Sequence, residues 1–107
     1  MFARMLEGTV KLEKKPEFLT KVRDEVLPLL RRQTGFVDII GLENETKPEK
    51  FFILSLWHTK NDAERYERET FPKVNDMIKH YLTVPLVVNT FKVETTISER
   101  VIAAVAA

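Results

Sequence analysis

Apolar and polar positions alternate from the start of the chain. In FARMLEGTVKL (residues 2–12), Phe2, Arg4, Leu6, Gly8, Val10 and Leu12 share one face, and Ala3, Met5, Glu7, Thr9 and Lys11 share the other. A period of two predicts a first strand. The period then lengthens. Pro16 suits a first helical turn, and Phe18, Val22, Val26, Leu29 and Leu30 recur at helical spacing. Pro28 lies inside that run and deletes a backbone donor, which predicts a bend or a tightened last turn. Gly35 is the expected stop just beyond the helix.

FVDIIGLE (36–43) and FFILSLW (51–57) read as a strand pair joined by the polar turn NETKPEK. Thr59 is the expected N-cap of the next helix, with Asp62 at the reciprocal position of a capping box. That helix runs through Ala63 and Tyr66. Thr70 is expected to cap a second piece, with Pro72 early in it and Val74, Ile78, Tyr81 and Leu82 as its buried stripe. Pro85 ends it. LVVNTFKVETTI (86–97) reads as a fourth strand, with Val87, Phe91, Val93 and Ile97 on one face. The order β-α-β-β-α-β in so short a chain predicts an α+β ferredoxin-like fold: a four-stranded antiparallel sheet with its helices on one face.

Two helical segments cover one face of such a sheet, yet the third strand is apolar on both. Phe51, Ile53 and Trp57 point one way; Phe52, Leu54 and Leu56 point the other. A sheet with one wet face should alternate cleanly. The expectation is a homodimer through sheet-to-sheet packing about a two-fold axis. The rival expectations are some apolar exposure, or cover from the C-terminal tail, residues 98–107, which could itself form a short capped helix.

Composition narrows the chemistry. At 107 residues the chain is one domain's worth, with a core expected over about residues 2–97. It has no cysteine, which excludes disulfides, thiolate catalysis and Cys-ligated metals. Seventeen Lys and Arg against sixteen Asp and Glu leave a net charge of +1, so nothing in the overall charge draws nucleic acid or an anionic membrane. The N-terminal stretch is too interrupted for a signal peptide, and ERVIAAVAA is far short of a bilayer span; the default location is the cytoplasm. His58 and His80 are 22 positions apart with no metal-ligand spacing. The three glycines are isolated, so no phosphate loop is present. ERYERET and RDEV read as solvated helix faces with i,i+4 pairing.

The helix ending in QTGF, the strand-end Trp57 in SLWHTKNDAERY and the FPKV segment opening the last helix give the chain its likeness to a known family. Over roughly residues 3–97 it resembles the antibiotic-biosynthesis-monooxygenase domain of the dimeric α+β-barrel superfamily. The resemblance implies a homodimer with an apolar pocket between sheet and helices in each subunit. It also implies cofactor-independent oxygenation of a quinol-like or aromatic molecule, with no cofactor and no metal. The haem-degrading branch of that family uses an Asn, a Trp and a His at positions that fall on Leu6, Tyr66 and near Asn75. All three are replaced, and haem degradation is not expected.

Oxygenation without a cofactor needs a group to accept or hold the phenolic proton, donors for the developing oxyanion and a dry pocket. The catalytic candidates are Tyr66, as a hydrogen-bonding group or as a core residue with its hydroxyl at the rim; His80, at the pocket mouth or in water; and Arg4, as an enolate partner or as half of an ordinary ion pair. Leu6, Trp57, Phe71, Asn75, Ile78 and Asn89 are the candidate substrate-binding positions. Trp57 could equally be a packing anchor, and Asn89, interrupting an apolar face, could satisfy its amide on backbone. Two rival functions stand beside the oxygenase: a non-catalytic dimeric module for small-molecule binding or stress response, and an isomerase or lyase using His80 as base.

Overall fold

A computed structural model describes residues 1–94. The expected strand over 95–97 and the tail over 98–107 lie outside the described residues. Strands β1 (Phe2–Thr9), β2 (Phe36–Glu43), β3 (Lys50–Trp57) and β4 (Val87–Lys92) form one antiparallel sheet in the order β2-β3-β1-β4. This is the α+β ferredoxin-like arrangement the pattern predicts. Helices α1 (Lys15–Lys21), α2 (Leu27–Arg31), α3 (Lys60–Glu69) and α4 (Phe71–Ile78) pack on one sheet face.

Several expectations are corrected in detail. The first strand stops at Thr9; Val10 forms only a bridge to Leu82, and Leu12 begins a short 3₁₀ turn and is exposed. The helix that holds Pro28 does end on a tightened turn, the Gln33 N–H donating to the Leu30 carbonyl at 3.0 Å. Before it, Val22–Val26 form a π turn between α1 and α2, with the Leu27 N–H reaching back to the Val22 carbonyl. Proline has no N–H and its ring crowds the carbonyl four residues earlier, so one widened turn relieves the conflict. Thr59 caps α3 as expected: its hydroxyl oxygen accepts from the Asp62 N–H at 3.1 Å and donates to the Asp62 carboxylate at 2.9 Å. Thr70 occupies the α4 N-cap position but makes no side-chain cap; its hydroxyl donates to Gln33 Oε1 at 3.0 Å. Glu67, in a run expected to be only a solvated face, instead reaches toward Arg4.

Two glycines are required by geometry. Gly35 has φ +82°, and a side chain there would collide with Asp62 of the α3 cap. Gly8 lies flat under the Phe51 ring, which a Cβ would strike.

The register sorts the helix-facing surface into four rungs: Phe2–Trp57–Phe36, Arg4–Ser55–Ile39, Leu6–Ile53–Gly41 and Gly8–Phe51–Glu43. Adjacent rungs are about 7 Å apart along the strands. The core over them is built from Phe18, Val26, Leu30, Trp57, Ala63, Tyr66, Val74 and Ile78, all buried. The opposite face carries a smaller cluster of Ala3 and Leu56 with Met1, Val37, Leu54 and Val93 packed against it. None of helices α1 to α4 contributes to that second cluster. Val87 and Phe91 on this face are each 50% exposed.

Candidate functional site

Arg4 is the polar group that the fold treats least conventionally. It stands on the helix-facing side of β1, between Phe2 and Leu6, and is 1% exposed. Its guanidinium carbon lies 5.0 Å from the centre of the Tyr66 ring and 4.6 Å from that of Phe71, within cation–π range of both. Glu67 Oε1 is 3.9 Å from Nη2, close enough for an ion pair and too far for a hydrogen bond. Arg4 Nε and Nη2 have no hydrogen-bond partner among the described residues. Unpaired buried donors are costly, and native proteins keep few of them.

The neighbours explain the surroundings of the charge. Trp57 is fully buried, stacks on Tyr66 with centroids 4.9 Å apart, and meets Phe36 edge-on at 5.7 Å. Its indole N–H donates to Ser55 Oγ at 3.0 Å, and Ser55 in turn donates to the Arg4 carbonyl at 3.5 Å. Trp57 is thus a packing anchor whose polar atom is satisfied within the layer. Burial pushes the Tyr66 phenol up to about 12, against the opposing pull of the Arg4 charge. At neutral pH Tyr66 is therefore a hydrogen-bond donor and no base. Burial also lowers the Arg4 guanidinium, with Tyr66 and then Glu67 acting the other way.

The other candidates divide. Leu6 and Ile78 are buried on the helix-facing side, as core. Phe71 is half-buried, the first residue of α4, and covers one side of Arg4. Asn75 lies at a shallow groove with Lys79, Leu82, Thr83, Val84 and Pro85, apart from Arg4. His80 is exposed, its ring 4.0 Å from that of Tyr81 and its carbonyl accepting from Lys11 Nζ at 3.2 Å. Asn89 pairs with Met5 and lies with Val87 and Phe91 on the sheet face turned away from the helices, exposed. It does not reach the sheet–helix layer, and its amide needs no buried partner.

The open space lies elsewhere on the same sheet face. A cleft of about 310 Å³ runs between the α1–π segment and the β2–β3 pair, lined by Phe18, Val22, Gly41, Phe51 and Ile53 among others. Lys15 and Glu43 form an ion pair at it. None of the nine sequence-derived candidates lines this cleft. Sequence reading also missed Glu67, Ser55 and Gly41. Glu67 was the most legible of these, since it follows Tyr66 on the same helix. Among the described residues no group of three or more His, Asp or Glu could hold a metal ion, and no helix is long and apolar enough to cross a membrane.

Comparison with known proteins gives a family and a fold. Residues 1–71 match the family described as antibiotic biosynthesis monooxygenase. SnoaB, a cofactor-independent oxygenase from Streptomyces nogalater solved as a point variant, superposes with a TM-score of 0.74 at 18% identity, over 92% of this chain and 97% of that one. A conserved protein from Methanosarcina mazei Go1 superposes with a TM-score of 0.71 at 18% identity, over 86% of this chain and 92% of its own. At these identities the likeness is one of fold. No curated protein matches the sequence.

Proposed function

Because this chain belongs to the antibiotic biosynthesis monooxygenase family, we propose that it is a cofactor-independent monooxygenase acting on a quinol-like or anthrone-like aromatic. The observation that carries the reading is Arg4, a buried cation held between aromatic rings whose Nε and Nη2 have no hydrogen-bond partner among the described residues. Such donors are placed to take an oxyanion in a dry setting, where they act most strongly. The substrate's hydroxyl ionises, and its oxygen settles on Nε and Nη2 of Arg4. Tyr66, neutral, donates a further hydrogen bond. Glu67, half-exposed, accepts the proton. The resulting carbanion passes an electron to dioxygen, the two radicals couple to a peroxide, and loss of water leaves a carbonyl. The balance is one CH₂ and one O₂ giving one C=O and one H₂O. Phe71, half-buried, covers one side of the guanidinium, and the substrate ring takes its place.

The test is oxygen consumption by the purified protein with an anthrone or hydroquinone and no added metal or flavin. Wild type should exceed buffer. Arg4→Met should fall by about a hundredfold, the usual cost of removing an oxyanion donor. A wild-type rate equal to buffer across the panel overturns the reading.

The apolar cleft favours the second reading, a non-catalytic binding module, because it offers room without catalytic groups. Tyr66→Phe separates the two: an oxygenase loses turnover while still binding, whereas a binder that uses the cleft, which Tyr66 does not line, keeps its affinity. An isomerase using His80 draws no support from the exposed position of that residue. We further propose a homodimer through the sheet face that bears Val87 and Phe91. Sedimentation at a single-subunit mass would argue against it.

A further inference from the structure

We infer that the cleft between α1 and the β2–β3 pair is a binding site for a small apolar carboxylate, an acid with an aliphatic body and one anionic head. This site is separate from Arg4 and does not rest on the oxygenase reading.

Three observations converge. The first is that the space is built into the strand. Gly41 faces Ile53 across the β2–β3 pair on the helix side. A side chain added there would meet no atom within 4 Å. Gly41 has no positive φ, so its backbone makes no demand for glycine. What the glycine supplies is room. The cleft, about 310 Å³, falls in the size range of small-molecule sites.

The second is the wall. Phe18 and Phe51 pack at 5.0 Å between ring centres and form the inner end. Val22 of the π turn and Ile53 of β3 continue it. Leu19, 53% exposed, lines the same cleft. An exposed leucine bordering an apolar hollow gains from an apolar occupant.

The third is charge. Lys15 and Glu43 are the charged residues among those lining the cleft. Lys15 is the sheltered member of their pair: its side chain is 22% exposed against 56% for Glu43. Lys15 also donates to the Pro48 carbonyl at 2.9 Å, which fixes the ammonium at the cleft. Glu43 can turn to water at little cost, as exposed members of ion pairs do. A ligand carboxylate can then take its place on Lys15, with the aliphatic body lying beside Gly41 against Phe51 and Ile53.

The experiment is calorimetric titration of the full chain with decanoate, decanol and decylamine. Decanoate should bind more tightly than decanol by about tenfold or more, the gain of a charge-assisted contact, and decylamine should bind most weakly. Lys15→Gln should remove the preference for decanoate over decanol. Glu43→Gln should leave decanoate binding as tight or tighter, since it removes the competing carboxylate. Gly41→Val should abolish binding of decanoate, with an unchanged circular dichroism spectrum confirming the fold; should that variant fail to fold, Lys15→Gln and Glu43→Gln carry the decision. Equal binding of decanoate and decanol, or a Lys15→Gln variant with the wild-type preference, overturns the carboxylate class. A folded Gly41→Val protein that still binds decanoate overturns the location. No binding of any of the three probes overturns the site.

Discussion

The two halves of the helix-facing sheet surface are made of the same kind of residue and end in opposite states. The rungs Phe2–Trp57–Phe36 and Arg4–Ser55–Ile39 lie under α3 and α4, with Trp57, Ser55 and Arg4 buried around a charge. The rungs Leu6–Ile53–Gly41 and Gly8–Phe51–Glu43 border an open cleft whose walls are almost wholly apolar. The first half has chemistry and no room, and the second has room and little chemistry. The difference turns on side-chain volume at two places. Trp57 and Tyr66 stack in one half, whereas Gly41 contributes no side chain in the other. The lesson is that within one small sheet, reactive groups and ligand space can be assigned to different strands' ends.

The contrast breaks most visibly if the filled half is emptied. Trp57→Ala should cost about 3–5 kcal/mol, because the stack with Tyr66 and the edge contact with Phe36 are both lost; denaturant unfolding measures it. Arg4→Met tests whether the charge serves function rather than fold. Stability should be unchanged or raised, since a buried cation whose one ion pair, to half-exposed Glu67, is long is replaced by an apolar chain of similar length, while oxygen consumption falls. Thermal melting and the oxygen electrode read the two sides.

A third prediction sharpens the dry character of that half. The Tyr66 phenol is raised from 10.0 to about 12, so its contribution is fully present below pH 10 and lost as pH rises from 10 toward 12. The amount is of order 2 kcal/mol. Tyr66→Phe should flatten that part of the stability profile, measured by urea titration across the alkaline range. The smallest effect belongs to the open half. Gly41→Val should shift stability by less than about 1 kcal/mol, and toward greater stability, since valine suits a strand and the added atoms enter empty space. A large loss in melting temperature would mean that the cleft wall cannot take a side chain.

Much of the fold was legible. The second strand is found at its expected bounds, and Thr59 caps where the pattern places it. Gly35 falls three residues past the Arg32 C-cap rather than directly after the helix, and turns the chain into β2 at φ +82°, which is open to glycine and strained for other residues. The candidate site was legible only in fragments. Arg4, Tyr66, Trp57 and Phe71 are brought together. The alternation also placed Asn89 with Val87 and Phe91. It carried no information on which face the helices would cover, and the β1–β4 register put all three on the other one. Glu67 looked like one more solvated charge until α3 crossed above β1. The π turn left no separate signal, because proline specifies the missing donor and not how the backbone adjusts.

By itself the sequence determined the order of elements, their ends and which side chains share a face, because these depend on steric preference and periodicity within a few residues. Tertiary structure alone decided which face is covered, that Arg4 is enclosed with Nε and Nη2 lacking hydrogen-bond partners among the described residues, and that a missing side chain at Gly41 becomes a cleft. Those outcomes depend on distances between segments far apart in the chain, where packing has to reconcile volumes that no local pattern records.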